Sequence, residues 1–263
     1  MSPVRDPAEW IDAGGHRLRC VVSGDGELTL LCLHGLVDRL EIWDRLSSPL
    51  SEFGRVARID QRGHGESDAP PGPYDREDLA ADVGAVIGTL GVSRAVLVGH
   101  SMGGIVAMTA ALRHPERVAG LVLIGTASHC SEKVAGWYER IARAGEREGT
   151  PGIARAIYGE TSEKRVDGDA QGISHVTRML KSLHTDPLTA KLSAIRCPVL
   201  LIVGENDPMG PKASSLIAAQ IPYAELVVVP GCGHWVHVDE PGAVIEAFAR
   251  FAPRLAFEGG FHG

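Results

Sequence analysis

The stretch A-V-L-V-G-H-S-M-G-G, from Ala95 to Gly104, decides the fold of this chain. An apolar strand candidate runs into it, and the helix-compatible segment 105–112 follows directly. A G-x-S-x-G sequence between strand and helix is typical of a turn so sharp that only glycine fits at Gly99 and Gly103. Such a turn presents Ser101 at a helix amino end, where N–H groups favour negative charge. With 32 glycines in the chain, the pattern alone could also be coincidence.

Apolar strand candidates alternate with helix candidates on both sides of this turn. After an antiparallel edge hairpin over 10–23, we predict strands over 28–33, 54–60, 95–98, 120–126, 199–204 and 225–230. Helices are predicted over 43–50, 74–90, 105–112, 212–220 and 241–251. This alternation indicates βαβ units in an α/β fold, with one mostly parallel sheet flanked by helices.

The alternation stops between residues 127 and 190. This segment has amphipathic helical stretches but no convincing buried strand, and the strand pattern resumes after it. We therefore expect residues 1–126 and 191–263 to form one core, with 127–190 inserted as a helical cap.

Three residues that follow predicted strands form a candidate catalytic set: Ser101, Asp207 and His234. Because the carboxyl ends of parallel strands meet at one edge, where open α/β sheets bind ligands, we expect these side chains to lie together. A serine hydroxyl needs an imidazole to remove its proton, and the imidazole needs a carboxylate to fix its tautomer. The order along the chain therefore predicts a Ser-His-Asp triad.

Other residues compete for the acid and base roles. Asp207 precedes Pro208 and could be an ordinary turn residue. Glu205 is a rival carboxylate, and Asp239 a weaker one. The rival histidines are His64, His100 and His237. We favour His234 as the base because its glycine-flanked loop lets the imidazole reach back over the serine.

Attack on a carbonyl also requires an oxyanion hole, formed by two N–H groups that point at the developing charge. We expect one donor to be the backbone N–H of Met102, directly after the serine. The other is expected to be that of Leu36, in the loop after the third strand. His34 in the same loop is a candidate pocket residue, but hydrogen bonds that hold the loop are the preferred interpretation.

Substrate choice is expected to depend on the cap. Its candidate pocket residues recur at helical spacing, and residues at such spacing are more often ordinary packing. The pocket candidates are Trp137, Tyr138, Ile157, Tyr158 and Met179 in the cap and Trp235 after the candidate base. Arg140, with Arg143 nearby, is a candidate for binding a substrate carboxylate, although charged helix faces are usually only solvated.

Composition argues against several classes of partner. The net charge of −7 and the pI near 5.9 disfavour nucleic acid, and no apolar run approaches the roughly 20 residues of a bilayer span. Residues 1–10 lack the apolar segment of a secretory signal. The five cysteines are widely spaced, match no zinc pattern and indicate free thiols. We expect a cytoplasmic monomer or homodimer that acts on a small molecule and holds no metal.

Five motifs together resemble the α/β-hydrolase superfamily in order and spacing. They are L-H-G at 33–35, D-Q-R-G-H-G-E-S at 60–67, G-H-S-M-G-G at 99–104, G-E-N-D-P at 204–208 and G-C-G-H-W at 231–235. Two further stretches, 62–74 and W-Y-E-R-I at 137–141, are similar to 3-oxoadipate enol-lactonases and to many small esterases. The resemblance implies an eight-stranded sheet, a helical cap and no cofactor. A serine nucleophile disfavours haloalkane dehalogenases and epoxide hydrolases, which use a carboxylate.

Three functions remain open at this point. The leading hypothesis is a serine hydrolase that cleaves a small carboxylic ester or lactone through an acyl-enzyme. A second is hydrolysis of a carbon–carbon bond in ring-cleavage products by the same triad. A third, of another class, is a ligand receptor on this fold that turns over slowly or not at all.

Overall fold

An eight-stranded sheet forms the centre of the computed structural model, which describes residues 7–259. Residues 1–6, part of the stretch judged above for a secretory signal, lie outside that range. The strands are β1 (Ala8–Asp12), β2 (Arg17–Ser23), β3 (Thr29–Leu33), β4 (Arg55–Ile59), β5 (Ala95–His100), β6 (Val118–Ile124), β7 (Val199–Gly204) and β8 (Ala224–Val229). Their order is β1-β2-β4-β3-β5-β6-β7-β8, in which β2 is antiparallel to both of its neighbours, β1 and β4, and the remaining pairs are parallel. The predicted fold class and edge hairpin are confirmed.

Helices connect the parallel strands and cover both faces of the sheet. They are α1 (Asp44–Ser51), α2 (Arg76–Thr89), α3 (Met102–Arg113), α4 (Glu132–Tyr158), α5 (Ala170–Lys181), α6 (Gly210–Gln220), α7 (Val236–Asp239) and α8 (Pro241–Phe251). The one-turn helix α7 was not predicted, because four residues are too few to show a helical period. None of the helices described between residues 7 and 259 combines the length and apolar character needed to cross a membrane.

Two apolar cores lie on opposite faces of the sheet. Alternate residues of the central strands belong to alternate cores, as in β3, where Leu31 packs with α2 and α3 while Leu30 packs with α1 and α8. Every residue of β3, β5 and β7 is buried. This double coverage explains why these strands are continuous apolar runs.

The carboxyl ends of neighbouring strands are aligned. Leu33 of β3 pairs with Gly99 of β5, His100 of β5 with Ile124 of β6, and Gly204 of β7 with Val229 of β8. The loops that follow β3, β5, β6, β7 and β8 therefore open at one edge of the sheet, where the candidate catalytic residues lie.

Helices α4 and α5 lie between β6 and β7 in the chain and pack against each other. They share a small apolar core that includes Ile141, Ile153 and Ile173, against which Leu36 and Val37 of the loop after β3 also pack. Within α4 the chain kinks at Gly149, where φ is 67° and ψ is −161°. The helical pair thus contacts the loop expected to supply an oxyanion donor. The proposed cap boundaries at 127 and 190 stay a prediction.

Candidate active site

The turn at Ser101 holds a non-glycine residue in a rare conformation, with φ at 51° and ψ at −113°. A Cβ atom at Gly99 would lie 2.4 Å from the Gly103 carbonyl oxygen, and one at Gly103 would lie 2.0 Å from the Leu33 carbonyl oxygen. Both positions therefore require glycine. A backbone strained in this way costs about 1–3 kcal/mol and persists only where the surroundings enforce it.

Strand β6 and the residues after it hold the strained serine in place. The Ser101 N–H donates to the Ile124 carbonyl at 2.9 Å, and the Thr126 hydroxyl donates to the Ser101 carbonyl at 2.7 Å. Both backbone groups of the serine are therefore satisfied by its neighbours. Helix α3 begins at Met102, three residues before the predicted segment, so Ser101 lies directly at its amino end.

Asp207 and His234 form a direct pair. Nδ1 of His234 donates to Oδ2 of Asp207 at 2.9 Å, and the Met209 amide donates to the other oxygen, Oδ1, at 2.8 Å. The Asp207 side chain is fully buried, whereas that of His234 is 17% exposed. Burial raises the pKa of Asp207, but the two donors and nearby His100 outweigh it and hold that pKa below its usual value. A carboxylate in this position fixes the imidazole with Nε2 free.

Gly125, directly after β6, allows this pair to form. Its φ is 53°, and a Cβ atom there would lie 2.9 Å from Oδ2 of Asp207 and 3.2 Å from Nδ1 of His234. The sequence interpretation missed this residue. The sequence feature that could have identified Gly125 is its position directly after a buried strand, at the edge of the sheet where ligands bind.

The rival acids and bases have other contacts. Glu205 accepts the Gly231 amide at 2.9 Å, and Asp239 is exposed. Nε2 of His100 donates to the His234 carbonyl at 3.1 Å, so His100 supports the loop that carries the favoured base.

The two remaining histidines are completely buried. His64 donates through Nδ1 to the Arg62 carbonyl at 3.1 Å, and burial lowers its pKa to about 3. His237 packs against the ring of Trp43, 4.7 Å away between centroids. Burial lowers the pKa of His237 well below its usual value. Neither side chain lines the cavity above the serine.

A cavity of about 430 Å³ opens above Ser101, and Asp207 and His234 also line it. Among the described residues, the Ser101 hydroxyl and the His234 imidazole form no hydrogen bond with each other. Such contacts are commonly long in enzymes without substrate and tighten in the complex. The structure therefore places all three predicted residues around one cavity, with the acid–base contact formed and the base–nucleophile contact open.

The two expected oxyanion donors face no competing acceptor. Within residues 7–259, neither the Leu36 nor the Met102 backbone N–H donates to another protein group. Leu36 lines the cavity, and Val37 beside it has a φ of 63°, which is rare for a β-branched residue. Val37 and Ser101 are the only non-glycine residues with positive φ in the described part of the chain. Backbone strain thus falls on the two segments expected to bind the oxyanion.

Most of the predicted pocket residues line this cavity. Those that do are Trp137, Tyr138, Ile157, Tyr158 and Trp235. Burial raises the pKa of Tyr158 to about 12, so its hydroxyl is neutral.

Three predicted pocket residues lie elsewhere, which corrects that part of the expectation. Met179 is buried in the core beneath the cap, and Arg140 is exposed on the outer face of α4. His34 is completely buried. Its Nδ1 donates to the Gly35 carbonyl at 2.7 Å, and its Nε2 accepts the backbone N–H of Gln61 at 3.0 Å. These hydrogen bonds hold the loop after β3, which is the role that the sequence interpretation preferred for His34. The nearby Arg143 is paired with Glu139 at 2.9 Å.

The sequence interpretation also missed Asp38, which lines the cavity. Its side chain is 14% exposed, and Oδ2 lies 3.7 Å from Nδ1 of His100. The available signal was its position, five residues after the end of β3, at the edge where the other site residues lie. Over the described residues, no group of three His, Cys, Asp or Glu side chains is placed to hold a metal ion.

Residues 30–247 match the alpha/beta hydrolase family, and the chain belongs to this family. It is similar to the 2-hydroxy-6-oxononadienedioate/2-hydroxy-6-oxononatrienedioate hydrolase of Paraburkholderia phymatum, with 32% identity over 84% of this chain and 86% of that protein. Among solved structures it is similar to a malate-bound thermophilic esterase from Thermogutta terrifontis, with TM-score 0.84, 27% identity and coverage of 95% and 99%. It is also similar to the enol-lactonase of Burkholderia xenovorans, with TM-score 0.83, 26% identity and coverage of 94% and 100%. The family resemblance seen in the motifs is confirmed.

Proposed function

We propose that this chain is a serine hydrolase that cleaves a small carboxylic ester or lactone through an acyl-enzyme on Ser101. One observation carries the proposal. A buried carboxylate orients His234 at the same cavity in which a strained turn presents the Ser101 hydroxyl. The esterase and lactonase among the structures similar to this chain also support the ester-type reaction.

In the proposed reaction, Oγ of Ser101 attacks the substrate carbonyl carbon while Nε2 of His234 takes the hydroxyl proton. The Leu36 and Met102 amides bind the oxyanion, each contributing about 3 kcal/mol to the transition state. His234 then gives its proton to the leaving oxygen, which departs as an alcohol. A water molecule, deprotonated by the same imidazole, cleaves the acyl-enzyme and releases the acid.

Substitution of the nucleophile tests the proposal. The Ser101→Ala variant should lose about a millionfold in kcat across a panel of 4-nitrophenyl esters and aliphatic lactones. The matched control is Ser48→Ala, which removes an exposed hydroxyl on α1. Equal turnover by Ser101→Ala and the wild-type protein would overturn the proposed function.

A second candidate is hydrolysis of a carbon–carbon bond by the same residues. It is favoured by the name of the Paraburkholderia phymatum relative, which is 32% identical to this chain. The protein would be incubated with a vinylogous diketone, whose visible absorbance disappears on cleavage. Cleavage of this compound at a higher rate than ester hydrolysis would support the second candidate. Covalent labelling at Ser101 without further turnover would instead favour the third hypothesis, a ligand receptor on this fold that turns over slowly or not at all.

We also propose that residues 127–190 act as the cap that shapes the substrate cavity. Five of the lining residues, among them Trp137 and Tyr158, belong to α4. A reducing, cytoplasmic location fits the five cysteines, all of which lie in the described part of the chain and none of which is in a disulfide.

A further inference from the structure

The charged groups around the cavity are unevenly distributed. None of the described residues that line it is a lysine or an arginine. Two acidic residues do line it, Asp38 and Asp207. Asp207 is fully buried and paired with His234, so its charge is directed at the imidazole. Asp38 is left as the anionic group that faces the rest of the cavity.

Asp38 is held in its ionised form. Burial raises the pKa of this carboxyl, but His100, His34 and the indole N–H of Trp235 outweigh burial and keep the pKa below its usual value. Burial, and to a lesser degree the charge of Asp38, raises the pKa of the Tyr158 hydroxyl to about 12.

Two basic side chains, Arg39 and Lys164, adjoin lining residues of the cavity but are not themselves among its lining residues. Arg39, the next residue in the chain, pairs with Glu41 at 3.2 Å and with Asp167 at 3.1 Å. The ammonium of Lys164 lies 4.8 Å from the ring centroid of Tyr158 and 5.3 Å from that of Trp235. Both rings line the cavity, so their faces already attract a cation.

We propose that Asp38 is a specificity-determining residue that makes this cavity select esters with uncharged or cationic substituents over esters that carry a second carboxylate. The inference rests on the proposed function and narrows its substrate class. A carboxylate in the cavity would be repelled by Asp38 and would find no guanidinium or ammonium partner among the lining residues. Uncharged groups would contact the apolar and aromatic walls, and an ammonium group would be attracted by the Asp38 carboxylate.

Two matched substrate pairs measure this selectivity. The first compares 4-nitrophenyl pentanoate with mono-4-nitrophenyl succinate, which has a carboxylate at the chain end. The second compares butyrylthiocholine with its neutral carbon isostere, 3,3-dimethylbutyl thiobutyrate. The wild-type protein should favour pentanoate over succinate by at least about tenfold in kcat/KM, and the cationic thioester should be hydrolysed at least as well as its isostere.

Substitutions at Asp38 and Lys164 identify the group responsible. Asp38→Asn should raise kcat/KM for the succinate relative to the pentanoate by about tenfold, whereas Asp38→Glu should keep the wild-type ratio. Lys164→Gln should leave the ratio unchanged. Circular dichroism spectra would verify that each variant is folded. The kcat/KM ratio of the wild-type protein tests the inference even if a variant fails to fold.

The outcomes separate this inference from the proposed function. If the wild-type protein hydrolyses none of the four esters, the proposed function fails and the inference fails with it. If it hydrolyses them but prefers the succinate, the inference alone is overturned. Loss of that preference in Lys164→Gln would then identify Lys164 as a carboxylate-binding residue. An unchanged ratio in Asp38→Asn would also overturn the inference.

Discussion

Oδ2 of Asp207 lies 2.9 Å from Nδ1 of His234, and the carboxylate is fully shielded from solvent. The two residues are on loops that follow different strands, β7 and β8, whose ends are aligned. A buried carboxylate is stable only with such a partner, and the pairing fixes which imidazole nitrogen is free for catalysis.

The first prediction distinguishes the two candidate acids. Asp207→Asn should lower kcat by about 10⁴, because an amide can stabilise the wrong imidazole tautomer and cannot stabilise an imidazolium. Glu205→Gln, two residues away, is the matched control and should change kcat less than tenfold, because the Glu205 carboxylate accepts the backbone N–H of Gly231. Steady-state ester hydrolysis measures both. A larger loss in Glu205→Gln would reverse the assignment of the acid.

The second prediction concerns the proposed oxyanion loop, whose backbone donors cannot be removed by side-chain substitution. A Cβ atom at Gly35 would lie 2.8 Å from Nδ1 of His100 and 2.9 Å from Oδ2 of Asp38. His100 is buried and cannot move away, so Gly35→Ala should shift the Leu36 amide and lower kcat by about 10²–10³.

Gly84→Ala is the control for this loop variant. Gly84 lies within α2 with open space around its Cα, so alanine should stabilise the fold by about 0.5–1 kcal/mol and leave kcat unchanged. Full activity in Gly35→Ala would place the oxyanion donors elsewhere.

The third prediction tests Gly125, which sequence reasoning missed. Gly125→Ala places a methyl group against the Asp207–His234 pair and should reduce kcat at least a hundredfold. Gly91→Ala controls for backbone strain, since Gly91 has a similar φ of 69° but nothing within 4 Å. Both variants should lose about 1–2 kcal/mol of unfolding free energy from the positive φ. Comparable kcat values in the two would show that Gly125 has no role at the pair.

The fourth prediction concerns stability in acid. Burial lowers the pKa of His237, while in the unfolded chain it stays near the ordinary value of about 6.5. The unfolded state therefore binds more protons below pH 6.5, and the free energy of unfolding falls as the pH decreases. His237→Leu removes this contribution and two ring nitrogens that have no partner among the described residues.

Urea unfolding at pH 7.5 and pH 5 measures the effect. His237→Leu should be at least as stable as the wild-type protein at pH 7.5 and lose less stability at pH 5. An equal loss in both proteins would show that His237 does not contribute to acid sensitivity.

Much of this fold could be predicted because its signals are local. Continuous apolar runs such as 199–204 identify strands buried on both faces, and the glycines around Ser101 mark a turn that other residues cannot form. The edge of the sheet that holds Asp207 and His234 follows from the direction of parallel strands. These inferences need no knowledge of how distant side chains pack.

The features that were missed depend on distant contacts. Gly125 is necessary because of atoms on the loops after β7 and β8, and nothing near it in the chain shows this. Asp38 is unremarkable in a loop until the fold brings it to the cavity wall. Met179 was a pocket candidate that its helical spacing also allowed to be ordinary packing, and that spacing does not reveal whether a face meets the cavity or the core.

The most direct test of the central claim is to trap the acyl group on the nucleophile. The protein would be mixed with 4-nitrophenyl pentanoate, quenched in acid within milliseconds, digested and mapped by mass spectrometry. The account predicts a pentanoyl group on the peptide that contains Ser101, formed with a burst of nitrophenol and absent in Ser101→Ala. A pentanoyl group on another residue, or wild-type turnover by Ser101→Ala, would contradict it.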